Sequence, residues 1–445
     1  MTDLDRLFHD APVDAALSET LAAQGLAVRR VDDTSRAETD NWVDAVARGF
    51  LDPERDDTQR EAFFDRTAHR RKIGVYDEAG PQPLLPVATF ASWGAHLTVP
   101  GGPESSPVVP VCAISSVTVA PTHRRRGLLR SVMSGELRTA AAAGFPVAGL
   151  TVSESGIYGR FGFAPAVASA QWTLDVRRAG WVGSEAPGRI DFLSREQGRA
   201  LAEGVHDRVR AGMPGEVEMP GGHWDRVFGT RPDADKPAKQ RVVQYRSPGG
   251  TVDGLAVYTV TENHDDFASS RVDVGVLLAA TDEAYAGLWR FFLSMDLIGT
   301  IRIGELAVDE PLWWMIADQR AARIELRDHH YLRVLDVPAA LSARGYDVAD
   351  TVVLDVEDSL GIASGRFVLS TDSAGSVSVD VVDDAPVGLP RVELGVAELS
   401  AILLGGVSPV TLARAGRLRT DDPADTARLA RLFAGARAPR LSFWY

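Results

Sequence analysis

The sequence predicts a mixed α/β and α+β protein built from successive units, the second repeating the layout of the first. Three observations carry this. A β-branched run over residues 113–119 passes through a basic glycine turn into a helical pattern over 128–143, then a second apolar strand over 147–152. The same order of strand, turn, helix and strand returns over 271–303. Beyond residue 325 strands give way to short helices, an α+β order. With 445 residues the chain can bury more than one core. The units are set at residues 1–178, 179–325 and 326–445, the first boundary falling where glycine, proline and charge cluster over 178–188.

The first strand–turn–helix has the chemistry of an anion site. Pro121 ends the strand and Gly127 permits a tight turn, with His123, Arg124, Arg125 and Arg126 between them. Leu129, Val132, Met133, Leu137 and Ala140 share one helix face, and Gly144 and Pro146 stop the helix. Such a turn aims backbone N–H groups outward, where the helix dipole favours an anion by ~0.3–1 kcal/mol per charge. Three arginines add charge on long stems, and a diphosphate suits them. Neither glycine spacing of the common nucleotide loops is present. Taken alone, Arg-Arg-Arg-Gly also reads as a solvated helix start.

The remaining elements follow in order. An amphipathic segment covers 13–24, a strand 26–31, helices 41–50 and 58–70, strands 72–76 and 86–93, and a Gly/Pro/Ser loop 98–107. A strand over 172–176 closes the first unit. The second unit has a helix over 194–211, a Gly/Pro-rich loop over 213–224 and strands over 241–246 and 254–259. Its repeat places a strand at 271–278, a helix at 281–295 and a strand at 299–303. The turn in that repeat, Ala279-Ala280-Thr281-Asp282-Glu283, lacks glycine and arginine and would repel a phosphate. The third unit reads as strands over 331–335, 351–356, 365–370 and 376–381, with helices over 338–343, 395–403, 411–416 and 424–433.

Arg124-x-x-Gly127 between that strand and helix, followed by Tyr158-Gly159-Arg160-Phe161-Gly162-Phe163, resembles the GNAT N-acetyltransferase family. With Gly156 and Ile157 ahead of it, the motif is similar to the Eis (enhanced intracellular survival) group of actinobacterial acetyltransferases. Leu404-Gly405-Gly406 between helices resembles the sterol carrier protein-like domain that ends such chains. The resemblance implies tandem GNAT domains, the second degenerate, followed by that α+β domain. It implies acetyl-CoA as cosubstrate, with the diphosphate at Arg125, Arg126, Gly127, Leu128, Leu129 and Arg130. The thioester would lie along a splayed strand at Val117, Thr118 and Val119, with Ser153 and Glu154 beyond the gap. It also implies a homohexamer.

Transfer of an acetyl group to an amine needs a base, an oxyanion site and an acid for the thiolate. Backbone N–H groups at Val117–Val119 suit the oxyanion. Tyr158 is the expected acid, a phenol of pKa about 10. The aromatic tail Phe443-Trp444-Tyr445 is costly to leave in water and is expected to dock. In the Eis group the C-terminal carboxylate is the base; here that is the carboxylate of Tyr445, where the group commonly ends in Phe. An α-carboxyl of pKa about 3.5 is a weak base, strengthened by apolar neighbours or acting through water. Trp42, Phe50, Asp52, Trp93, Ser116 and Trp224 are candidates to line the acceptor pocket, with core packing or the surface as the competing reading. Cys112 has no placed base, His123 reads as structural, and His329-His330 lack a third ligand, so no metal is expected.

The formal charge of −14, from 47 Lys+Arg against 61 Asp+Glu, argues against a nucleic-acid surface and leans towards cationic partners or simple solubility. No apolar run reaches the ~18 residues of a membrane span. The first ten residues lack a secretory pattern, and the single cysteine forbids an intrachain disulfide, so a cytoplasmic location is expected. The expected function is acetyl-CoA-dependent N-acetylation of primary amines of cationic, aminoglycoside-like small molecules, by direct transfer in a ternary complex. The alternatives are protein lysine or polyamine acceptors, or a non-catalytic binder of lipids or small molecules.

Overall fold

The computed structural model describes residues 2–101 and 106–445. Part of the expected loop over 98–107 therefore lies outside the described residues. The chain divides into two compact units: residues up to 166 with 330–436 and Tyr445, and residues 167–329 with 437–444.

In the first unit a sheet runs in the order β1 (Ala27–Arg30), β2 (Arg71–Tyr76), β3 (Ala88–Thr98), β4 (Val108–Val119), β5 (Val147–Thr151). The end of the strand Ala322–Val334 adds antiparallel to β5, with His330 opposite Thr151. Helices α1 (Asp3–Asp10), α2 (Ala15–Ala22), α3 (Arg36–Phe50), α4 (Asp57–Thr67) and α5 (Leu128–Ala143) accompany it. Their starts are chemically marked. Thr2 with Asp5 and Asp56 with Gln59 form capping boxes, and Ser35 caps α3. The α5 bounds match the sequence reading because left-handed glycines close both ends, Gly127 at φ 80° and Gly144 at φ 102°. β4 begins five residues earlier than expected, since Val108 to Pro110 gain partners along β3.

Met133, Leu137 and Ala140 of α5 pack with Phe90, Ile114 and Phe145 in the main core of this unit. Across that core Arg71 donates to both oxygens of Glu136 on α5, at 2.8 and 3.2 Å, with both side chains buried. The C-terminal portion adds a sheet ordered Val377–Val381, Gly365–Thr371, Asp350–Glu357, Arg391–Gly395, Leu418–Thr420. The last two strands were absent from the sequence reading; five and three residues are too short to show a period. Arg333 ties this portion to the tyrosine loop, donating to Asp358 at 2.7 Å and to the Phe161 carbonyl at 2.6 Å.

The second unit repeats the plan. Its sheet is ordered Ala164–Asp175, Ile298–Leu306, Ser270–Ala279, Val252–Thr261, Arg241–Arg246, Arg189–Leu193, with a parallel pair joined through the helix Asp282–Leu293. Thr281 caps that helix itself, and Asp282 and Glu283 fill its first turn. An anion site is thereby closed by the chain's own acids. The expected loop over 213–224 instead ends in a helix, Gly221–Val227, because Trp224 is drawn fully into the core beside His206.

The tail is anchored in this unit. Buried Glu216 accepts from the amide and hydroxyl of Ser442, and His329 Nε2 lies 3.1 Å from the Leu441 carbonyl. Burial pulls His329 down to about 4, so it is neutral in the fold. An unfolded imidazole binds its proton near 6.5, so the contribution is complete above that pH and is lost as pH falls towards 4. The slope is at most about 1.4 kcal/mol per pH unit, about 3 kcal/mol over the window. Urea midpoints measured between pH 7 and 4 should therefore fall more steeply for the native protein than for His329→Gln; parallel curves would clear His329.

Candidate active site

The site begins where β4 and β5 part. They pair in parallel from Val111 opposite Val147 to Ile114 opposite Leu150, and no further. At the same level β4 bulges against β3: Ala91 faces Ser115 and Thr89 faces Thr118, so β4 carries one extra residue. Ser116 takes up the excess in the left-handed region at φ 53°, uncommon outside glycine. Thr89 Oγ1 pins the bulge through the Ser116 carbonyl at 2.9 Å and the Thr118 hydroxyl at 2.7 Å. Val117 and Val119 stay half-buried along the opened edge.

β4 leads into the basic turn. Arg124, Arg125 and Arg126 are exposed, with Arg125 left-handed at φ 65°. Arg126 donates to the Gln24 carbonyl at 3.2 Å. The first turn of α5 has neither a side-chain cap nor an acidic residue, which leaves its leading N–H groups available to an anion. Leu128 anchors the turn in the core, Leu129 is half-buried and Arg130 exposed. His123 bonds Asp77 at 3.2 Å and Thr122 at 2.8 Å, a structural role.

Beyond β5, Ser153 and Glu154 are exposed and Tyr158 is half-buried, its ring edge-on to Phe163 at 6.2 Å. Burial, then the Glu154 charge, raise the Tyr158 phenol above its ordinary range. It holds its proton at neutral pH.

Tyr445 reaches the same strand end. Its backbone oxygen accepts from Thr151 Oγ1 at 2.9 Å, one residue past the last β4–β5 pair. Its ring lies edge-on to Trp93 at 5.5 Å, and its hydroxyl lies 2.6 Å from His330 Nε2. Burial pushes the phenol up, so it keeps its proton at neutral pH. Gly149 makes this possible: a Cβ there would stand 2.8 Å from His330 Nε2 and 2.9 Å from the Tyr445 oxygen. Thr151 and Gly149 were not singled out from the sequence, and His330 was weighed there only as a metal ligand; their spacing offers no signal for a place beside Tyr445.

The weaker candidates separate. Trp93 is buried against the Tyr445 ring; Trp42 is core, its indole donating to the Ile73 carbonyl at 2.9 Å. Trp224 belongs to the core of the second unit. Phe50 and Asp52 are exposed at the end of α3. Burial pushes the Cys112 thiol up, which disarms it as a nucleophile. Among the described residues no group of three or more His, Cys, Asp or Glu could hold a metal, and no helix is long and apolar enough to cross a membrane.

A bulged strand parting from its neighbour beside an arginine–glycine helix start defines an acetyltransferase of the GNAT class. The comparisons agree: residues 30–166 and 215–334 match the acetyltransferase (GNAT) domain, and residues 337–442 the sterol carrier protein domain. The chain belongs to the Eis-type N-acetyltransferase family. It is 34% identical over 381 residues to N-acetyltransferase Eis of Mycobacterium tuberculosis, covering 81% of this chain and 86% of that protein. An uncharacterised N-acetyltransferase of Streptomyces avermitilis is 38% identical over 397 residues, covering 86% of this chain and 91% of the relative. The crystal structure of Eis1 from Mycobacterium abscessus superposes with a TM-score of 0.79 at 29% identity, covering 94% of this chain and all of that one. The protein is thus an N-acetyltransferase, and GNAT acetyltransferases use acetyl-CoA.

Proposed function

We propose that the chain moves the acetyl group of acetyl-CoA directly to a primary amine, with Tyr158 as general acid and the carboxylate ending the sequence at Tyr445 as general base. One observation carries this: the Tyr445 oxygen is hydrogen-bonded at Thr151, at the mouth of the β4–β5 gap. On this reading the carboxylate takes a proton from the attacking nitrogen. N–H groups of Val117 to Val119 receive the oxyanion, and Tyr158 protonates the departing thiolate. Arg125, Arg126 and the N–H groups of Gly127 to Arg130 hold the diphosphate, and Ser153 and Glu154 border the pantetheine. The test is CoA release in a thiol assay with a panel of amines; no amine-dependent release would overturn the reading.

Arg125→Ala combined with Arg126→Ala is expected to weaken acetyl-CoA binding roughly ten- to a hundred-fold, the worth of one charged hydrogen bond of ~1.5–3 kcal/mol. Calorimetry checks this, and unchanged affinity would move the diphosphate elsewhere. The domain division 1–178, 179–325 and 326–445 is kept as part of the proposal. So are a homohexamer, testable by light scattering, and a cytoplasmic location, which the lone buried thiol fits. The net charge of −14 supports cationic, aminoglycoside-like acceptors, with polyamines and protein lysine as rivals for the same panel.

A further inference from the structure

Next to Tyr445 stands a cation without a counter-charge. Arg70, just past α4, lies with its guanidinium 4.2 Å from the Trp93 ring centre, one indole away from Tyr445. It is half-buried, and among the described residues it makes no ion pair or side-chain hydrogen bond; its Nε is buried and unpartnered. The neighbouring cations differ: Lys72 pairs with Asp33, and Arg71 with Glu136. The Trp93 indole is 4% exposed, and its Nε1 also lacks a partner. His69, edge-on to Trp93 at 5.8 Å, keeps a buried Nε2 without one. Burial lowers Arg70 to about 10, with no carboxylate acting against it, and pulls His69 down to about 4. Buried donors left open in this way are costly unless a ligand completes them.

We propose that Arg70, with the Trp93 indole, binds an anionic group on the acceptor, so that the preferred substrate is an amine carrying a carboxylate rather than a polycation. A guanidinium stacked on an aromatic face keeps its fork of donors in one plane, which suits a carboxylate. The overall negative charge of the protein acts at long range and is screened by salt; Arg70 acts at contact. The inference rests on the proposed acceptor site at Tyr445 and sets a carboxylate-bearing amine against the cationic class that the net charge supports, so the two readings make opposite predictions for the same site.

The test compares three amines of matched length: 5-aminopentanoate, cadaverine and pentylamine. Calorimetry on the enzyme–CoA complex gives affinity without turnover, and CoA release gives kcat and KM. The native protein should bind 5-aminopentanoate at least ten-fold more tightly than either competitor and show the same order in kcat/KM. Arg70→Met and Arg70→Gln should erase that preference, chiefly through KM, and Arg70→Lys should restore part of it. Tighter binding of cadaverine, or a preference unchanged in both neutral variants, overturns the proposal. So does weakened acetyl-CoA binding in those variants, which would assign Arg70 to the donor. Selective binding with no turnover of any amine would leave Arg70 assigned and instead remove the catalytic reading.

Discussion

Deleting Tyr445 is expected to lower kcat by ~10²–10⁴-fold, the usual worth of a positioned general base, while acetyl-CoA affinity moves by less than about three-fold. The deletion ends the chain one residue short of Thr151 Oγ1, so a carboxylate no longer stands at the strand mouth. Appending a tag should act alike, since it converts the carboxylate into an amide. Tyr445→Phe is the control. It keeps the carboxylate and the contact with Trp93 and loses only the hydroxyl at His330, so its kcat should stay within about ten-fold, the loss of one buried hydrogen bond. Turnover and calorimetry on the three proteins decide it. A tagged or shortened enzyme with native kcat would exclude the terminal carboxylate.

Tyr158→Phe is expected to lower kcat about 10²-fold with acetyl-CoA affinity nearly unchanged. The ring packs against Phe163, and phenylalanine keeps that contact, so the change removes a proton donor rather than a wall. Because burial and then the Glu154 charge raise the phenol, the acid form persists through the ordinary phenol range, and turnover should not fall on the alkaline side before that range. Native kcat in Tyr158→Phe would free that residue from the role of acid.

Much of the first unit was legible in the chain because its signals are local. Pro121, Gly127, Gly144 and Pro146 bracket α5, and the structure keeps its bounds at Leu128–Ala143. Elements held by distant partners were misread. β4 was cut short because its first residues depend on β3, and Trp224 left its expected loop for a core. Trp42, a candidate for the pocket, is claimed by the Ile73 carbonyl.

What the sequence alone determined was chemistry written in adjacent residues: an arginine–glycine turn, a helix without an acidic start, a tyrosine loop and an aromatic tail. Each is set by neighbours within a few positions, where backbone propensity and capping act. The tertiary structure decided where β4 leaves β5, what receives Tyr445 and which cations stay unneutralised. Those outcomes bring together groups such as Thr151 and Tyr445, 294 residues apart, and Arg70 with Trp93. Burial and charge pairing at that separation are sums over the folded chain, and no spacing in the sequence carries them.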